Sequence, residues 1–212
     1  MATAGWRLYL VRHGVTEWNK AMRFQGHTDI PLDEEGREQA RRIAARLGQL
    51  SEPPLAVYSS DLGRAIATAQ TIAAPYGLTV QTTPLLRETS LGEWEGLTRT
   101  EIEARGESEL LKGYVQNSHL NRPPGGETLE SAWERMTQAV TLIQEQYPSG
   151  GVVIVGHGGS LRALICDALD APISSMRRIW LANASLSIIE DHEGVIGRVR
   201  RLTLLNDISH LD

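Results

Sequence analysis

The apolar run Leu8-Tyr9-Leu10-Val11 stops at Arg12-His13-Gly14, and no other stretch constrains this chain as much. A short apolar run rich in strand formers and closed by glycine reads as a strand buried on both faces. Strands of that kind belong to parallel sheets sheathed by helices. Open α/β sheets place their ligands beyond the carboxyl ends of the strands. His13 therefore stands where a nucleophile or base would be, and Arg12 where an anion would be clamped. The pattern returns at Val152-Val153-Ile154-Val155, which runs into Gly156-His157-Gly158-Gly159. Two histidines at two strand ends, one of them beside an arginine, suit phosphoryl transfer without a metal.

Strand and helix signals alternate along the rest of the chain. Asp33 can cap a helix with the stripe Ala40, Ile43, Ala44 and Leu47, ending near Gly48. Leu55-Ala56-Val57-Tyr58 is a second strand that stops at Ser59-Ser60, and a helical pattern from Leu62 to Tyr76 follows it. A long helix from about Thr128 carries Leu129, Trp133, Met136, Val140, Ile143 and Tyr147 on one face and breaks at Pro148. After the strand at 152–155 comes a helix with Leu161, Leu164, Ile165, Ala168 and Leu169. Two β segments near 185–190 and 197–204 lie close enough in sequence to pair antiparallel at an edge. The expectation is an α/β fold: a three-layer α/β/α sandwich with a mainly parallel central sheet and an antiparallel edge strand. The 212 residues suit a single domain over 1–212. The weakly periodic stretch at about 89–126 reads as a lid-like excursion over the strand ends.

The net charge of −5 gives no global support to a nucleic-acid or polybasic membrane role. No apolar run approaches the roughly 20 residues of a membrane span, and the N-terminus lacks the plan of a signal peptide. A cytoplasmic location is expected. The single cysteine, Cys166, sits in an apolar run and reads as a buried thiol. A homo-oligomer is neither required nor excluded.

Arg64 follows Ser59-Ser60-Asp61 in the first turn of its helix, where the dipole disfavours a cation. An anion in front of that turn would explain it, sharing the free backbone N–H groups. The plainer alternative is a pair with Asp61. A leaving alkoxide also needs a proton donor. Leu86-Arg87-Glu88-Thr89-Ser90-Leu91-Gly92-Glu93-Trp94-Glu95-Gly96 offers Glu88, Glu93 and Glu95, and spacing alone does not choose among them. Trp94 reads as a packed anchor. His27, His119 and His192 have no metal-ligand spacing and read as surface or loop histidines. Arg162 falls on the polar face of its helix and reads first as solvated, with a place on the rim of the site as the alternative.

The ordered set Leu10-Val11-Arg12-His13-Gly14 with Thr16-Glu17-Trp18-Asn19, Gln25-Gly26, Ser59 to Ala65, Leu86-Arg87-Glu88, Pro124-Gly125-Gly126-Glu127, Gly156-His157-Gly158-Gly159 and Asn206-Asp207 with His210 resembles the histidine phosphatase superfamily, in its phosphoglycerate mutase-like branch. The resemblance covers nearly the whole chain. It implies that His13 is phosphorylated while Arg12, Arg64 and His157 hold the phosphoryl group. It also implies that Asn19 reaches the phosphate and that Gln25, Gly26 and Gly158 line the substrate side. Glu88 takes the proton donor and acceptor position, which resolves the choice among the three glutamates. No metal and no cofactor is implied, and His210 is expected to make a structural hydrogen bond.

The chain departs from the mutase pattern in three places. Val15 replaces the glutamate that mutases carry after Arg-His-Gly. The 97–126 stretch lacks their adjacent arginine pair, with Lys112 and Arg122 as the charges weighed there. The C-terminus ends without a lysine-rich tail. The sequence is most similar to the short broad-specificity bacterial phosphatases of the branch. The function expected is hydrolysis of a small-molecule phosphomonoester, against a cofactor-dependent phosphoglycerate mutase or an inactive binding module as alternatives. Recognition of the leaving group should fall to Tyr114, Gln116, Asn117, His119 and Arg122.

Overall fold

The computed structural model describes residues 5–194 and 197–212. Six strands form one sheet: β1 (Trp6–Arg12), β2 (Ala56–Ser60), β3 (Val80–Thr83), β4 (Gly150–Gly156), β5 (Leu186–Gly194) and β6 (Gly197–Asp207). Their order across the sheet is β3-β2-β4-β1-β5-β6. The first four run parallel, β5 runs antiparallel to β1, and β6 returns antiparallel to β5. The antiparallel edge expected from sequence is thus a two-stranded hairpin.

Alternation along β1 sends its side chains into two separate cores. Trp6, Leu8 and Leu10 pack with Met136, Val140 and Ile143 of α6 (Leu129–Gln146) and with Leu161, Leu164 and Ile165 of α7 (Gly158–Ala168). Tyr9 and Val11 pack on the other face with Ile43 and Leu47 of α2 (Glu34–Leu47) and with Ala65, Ala69 and Ile72 of α3 (Gly63–Ala73). Val152 to Val155 are fully buried, and each such side chain contributes about 1.5–3 kcal/mol by leaving water. Only helices on both faces can supply that burial, so the three-layer arrangement follows from β1 and β4 themselves.

A one-turn helix, α1 (Glu17–Lys20), follows β1, and the helix caps behave as their sequences demand. The Asp33 carboxylate accepts from the Gly36 N–H at 2.8 Å, and Thr128 caps α6 through the Ser131 N–H at 3.2 Å. Cys166 is buried and free. Three details differ from the sequence reading. β3 was not anticipated, because four residues with only one aliphatic side chain give too short a signal. Leu169 lies past the end of α7 and is exposed, and Trp133 is only half-buried.

Residues 89–126 are ordered into a 3₁₀ turn at Gly92–Trp94 and two short helices, α4 (Arg99–Ala104) and α5 (Ser108–Gln116). Trp94, Ile102 and Leu111 give them a small core of their own, which Phe24 and Tyr114 join. Trp94 is the anchor expected, and its Nε1–H donates to Glu107 at 2.7 Å. No described helix is long and apolar enough to cross a membrane.

Candidate active site

The register of β1 against β4 sets Arg12 opposite Gly156, so the next residue of each strand, His13 and His157, emerges at the same level. Their rings meet edge to face with centroids 5.1 Å apart. Both are buried on the floor of a cavity of about 350 Å³. His13 Nδ1 lies 2.7 Å from the Gly14 carbonyl oxygen. A carbonyl can only accept, so Nδ1 carries the proton and Nε2 keeps its lone pair. Burial, then Arg64 and Arg12, hold His13 well below the ordinary imidazole range. A neutral ring with a free Nε2 is the nucleophilic form.

Arg64 is the second residue of α3 and is fully buried. It donates through one terminal nitrogen to the Thr28 carbonyl and through the other to the Gly26 carbonyl, each at 2.8 Å. Asp61 is not its partner, since Asp61 is held bidentately by Arg87 at 2.7 Å. Arg12 donates to the Leu181 carbonyl at 2.6 Å. Burial lowers its guanidinium to about 10, with Glu88 opposing and Arg162 and Arg64 adding to the effect. Nε of Arg12, Nε of Arg64 and both ring nitrogens of His157 are buried without a hydrogen-bond partner. Buried polar groups are rarely left so, and several converging on one cavity call for an external acceptor. A tetrahedral oxyanion carries acceptors on every side.

Glu88 sits at the start of α7, where its carboxylate accepts from Gly159 N–H at 2.8 Å, Ser160 N–H at 2.9 Å and Thr89 N–H at 3.0 Å. A helix N-terminus stabilises such an anion. A Cβ on Gly159 would collide with that carboxylate, so only glycine lets Glu88 approach. The other two glutamates are placed elsewhere. Glu93 is exposed, and Glu95 ties the 25–28 turn by accepting from His27 N–H, Thr28 N–H and the Thr28 hydroxyl.

Asn19, Gln25, Gly26 and Gly158 all line the cavity. The Asn19 side-chain oxygen is taken by Thr16 N–H at 3.0 Å and by Asn183 Nδ2 at 3.2 Å, which leaves its amide N–H groups for a ligand. Gln25 likewise spends its oxygen on the Thr16 hydroxyl. Among the residues weighed for recognition, Tyr114 lines the cavity and burial beside Glu88 pushes its phenol up to about 12. Gln116 and Asn117 are exposed and do not line it, while His119 and Arg122 border a separate cavity of about 160 Å³. Arg162 is not simply solvated: it donates to the Gly158 carbonyl at 2.8 Å and lines the cavity. Arg23, Arg99 and Arg177 line it as well, and none was anticipated.

Another residue missed from sequence holds Glu88 from behind. Arg135 of α6 donates to the carbonyls of Leu85, Arg87 and Glu88 at 2.9, 2.7 and 2.8 Å and pairs with Glu127 at 2.8 Å. His27 Nε2 donates to the same Glu88 carbonyl at 2.8 Å, so it is not a mere loop histidine. His210 makes the expected structural bond, to the Ala184 carbonyl at 3.0 Å. Among the described residues, no group of three or more histidines, cysteines and carboxylates could hold a metal ion.

Strand-end histidines, two arginines and a carboxylate on a helix N-terminus thus meet at the strand ends of an α/β sandwich, an arrangement chemically suited to a tetrahedral oxyanion. A family model described as "Histidine phosphatase superfamily (branch 1)" matches residues 8–204, and the chain belongs to that superfamily. It is 36% identical over 208 residues to "Phosphoglycerate mutase-like protein 4" of Arabidopsis thaliana, covering 97% of this chain and 86% of that one. The fold superposes on "Bacillus stearothermophilus YhfR" with a TM-score of 0.89 at 33% identity, covering 98% and 100% of the two chains. A mycobacterial glucosyl-3-phosphoglycerate phosphatase, Rv2419c, in complex with VO3 superposes with a TM-score of 0.84 at 33% identity, covering 94% and 98%. Both a mutase-like name and a phosphatase name thus occur among its relatives.

Proposed function

We propose that this protein is a phosphatase that hydrolyses small-molecule phosphomonoesters through a phosphohistidine on His13. The observation that carries the reading is the Nδ1–H bond of His13 to the Gly14 carbonyl, which leaves a neutral Nε2 free in a cavity that Arg12 and Arg64 also line. Nε2 attacks phosphorus, the P–O bond of the ester breaks, and the leaving oxygen takes a proton from Glu88, which enters this step as the carboxylic acid after taking a proton from the monoanionic ester or from solvent. Arg12, Arg64 and His157 spread positive charge and donors around the transferring group, with Asn19 adding its amide. In the second half Glu88, left as the carboxylate by the first step, takes a proton from the attacking water and so returns to the acid form. The P–N bond breaks and phosphate is released. Gln25, Gly26 and Gly158 bound the substrate side, and residues 89–126 act as the wall or lid that receives the leaving group.

One observation favours water over a second acceptor: Val15 leaves no carboxylate beside the Arg-His-Gly turn. The charge on the phosphoryl group is met by arginines, so the reaction needs no metal. The test supplies 3-phosphoglycerate with a trace of the 2,3-bisphosphate, before and after exhaustive treatment with EDTA. Inorganic phosphate should appear faster than 2-phosphoglycerate, and the chelator should not change the rate. Isomer formation outrunning phosphate release would make the protein a mutase. Activity lost to EDTA and restored by a divalent cation would refute the metal-free reading.

A further inference from the structure

The proposed reaction leaves one acidic group close to the cavity without a task. Glu95 does not line the cavity, yet its carboxylate gathers donors from two segments. Oε1 accepts from His27 N–H at 2.9 Å and Leu91 N–H at 3.0 Å. Oε2 accepts from Thr28 N–H at 2.9 Å and from the Thr28 hydroxyl at 2.6 Å. Burial raises this carboxyl, but the donors outweigh it and hold the group below the usual carboxylate range. The turn they fix is the one that faces Arg64. The Gly26–His27 peptide is a planar trans unit, so its N–H and C=O point in opposite directions. Its N–H faces Glu95, and its C=O accepts from one terminal nitrogen of Arg64 at 2.8 Å. The Thr28 carbonyl accepts from the other, also at 2.8 Å. Asp29, next in the turn, accepts from Gly63 N–H at 2.8 Å, one residue before Arg64 at the start of α3. Gly26 has a φ of +52°, and a Cβ there would collide with the Glu95 carboxylate. Glycine is therefore required at this position by Glu95 as well as by the backbone.

We infer that Glu95 is a positioning residue for phosphoryl transfer: its carboxylate fixes the 26–28 turn, and the two carbonyls of that turn aim the Arg64 guanidinium at the transferring group. Glu95 itself touches no substrate. A guanidinium has five N–H donors in a rigid fork. The turn takes one from each terminal nitrogen of Arg64, and Nε is left buried without a protein partner. Carboxylate, peptide and guanidinium form one hydrogen-bonded chain, in which each bond polarises the next. Glu88 depends on the turn much less. His27 Nε2 donates to its main-chain carbonyl, but Arg135 donates to the same oxygen at 2.8 Å, and the Glu88 carboxylate rests on the α7 amides. Loss of Glu95 is thus felt through Arg64 at the phosphoryl group, and not at the leaving oxygen.

The inference rests on reading the cavity floor as a phosphoryl site, and a double-mutant cycle separates the two. Three quantities are measured well below the unfolding midpoint of every chain: kcat/KM for nitrophenyl phosphate, kcat/KM for sorbitol 6-phosphate, and inhibition by orthovanadate. Glu95→Gln keeps the volume but turns an amide NH₂ toward N–H donors. It should lower kcat/KM about 10- to 100-fold, equally for both esters, and weaken vanadate inhibition in parallel. Arg64→Lys keeps the charge but cannot bridge both carbonyls as a fork does, and should cost about 10²–10³-fold. In the Arg64→Lys chain, adding Glu95→Gln should cost less than about threefold more, because the group it aims is already gone. Should Glu95→Gln not fold, the same cycle is run with Thr28→Val, which removes one donor to Glu95 and keeps the main chain. Its loss, about threefold, should vanish in the Arg64→Lys chain and be restored by Thr28→Ser. Losses that multiply in full, activity unchanged by the substitution, or a loss that grows with the basicity of the leaving group would each overturn the positioning role and leave the phosphatase reading in place. A wild-type chain that neither hydrolyses the esters nor binds vanadate would overturn that reading and the role with it.

Discussion

The floor of the cavity and its mouth are built on different physical terms. On the floor, His13, Arg64 and His157 are nearly solvent-free, and each is fixed by a strand end or a helix start whose backbone belongs to the sheet core. At the mouth, Arg99 and Arg177 are exposed and come from short helical segments outside the sheet. Charges in the first environment are unscreened and immobile, as in-line displacement requires. Charges in the second are solvated and adjustable, which serves selection among leaving groups more than the bond-breaking step. On the proposed function, burial separates reaction from recognition.

The sharpest way to break this division is at the nucleophile. His13→Ala should reduce turnover by at least about 10⁴-fold for every ester, good leaving group or poor, because no neighbouring side chain can take the phosphoryl group in line. Acid-labile label from a ³²P ester, present on the wild-type chain, should be absent from the variant. Substantial residual hydrolysis of an aryl phosphate would mean that the floor does not act through a covalent intermediate on this residue.

A second set of variants tests the support beneath Glu88, at the border between the two regions. Glu88→Gln should slow alkyl phosphates by about 10²–10⁴-fold and nitrophenyl phosphate much less in the first half-reaction, since a phenolate needs little protonation. Phosphoenzyme should then accumulate. Arg135→Ala should reproduce that leaving-group pattern at about a tenth to a hundredth of wild-type kcat, because Leu85, Arg87 and Glu88 lose a shared donor and the carboxylate drifts. Arg135→Lys, which keeps the charge but cannot span these carbonyls and Glu127 together, should fall between. A uniform loss across leaving groups, in step with lowered thermal stability, would reduce Arg135 to a structural role.

Legibility from sequence follows the same division. The floor is visible because burial on both faces writes continuous apolar runs, and Arg12, His13 and His157 interrupt two of them at their ends. The caps Asp33 and Thr128 are visible because a side chain bonding three residues on is a local event. Arg135 is hidden: its partners at 85–88 lie about 50 residues away and are main-chain carbonyls, which have no residue code. Arg162 is ambiguous in sequence, because a polar helix face looks the same whether water or a cavity lies in front of it. The 114–122 stretch is the least legible: of Tyr114, Gln116, Asn117, His119 and Arg122 only Tyr114 reaches the cavity, since the C-terminal end of α5 carries Gln116 and Asn117 outward.

The smallest expected effect concerns stability, and it measures how dry the floor is. Burial first, then the arginines, hold His13 and His157 well below the ordinary imidazole range, so both are neutral in the folded chain. In the unfolded chain they take up protons as pH falls through about 6.5. Below that point the unfolded state binds more protons than the folded one, and stability decreases as pH decreases; above it the contribution is fully present. At pH 6.5 each histidine contributes half of a limiting slope of about 1.4 kcal/mol per pH unit, so the pair contributes about 1.4 kcal/mol per pH unit on average between pH 7.5 and 5.5. Urea unfolding between pH 7.5 and 5.5, in a buffer without phosphate, should show that slope in wild type and a much flatter one in His13→Ala/His157→Ala. His210, also lowered by its burial, stays in both chains and cancels from the difference. Equal slopes would mean that the two imidazoles titrate normally and that the floor is as wet as the mouth.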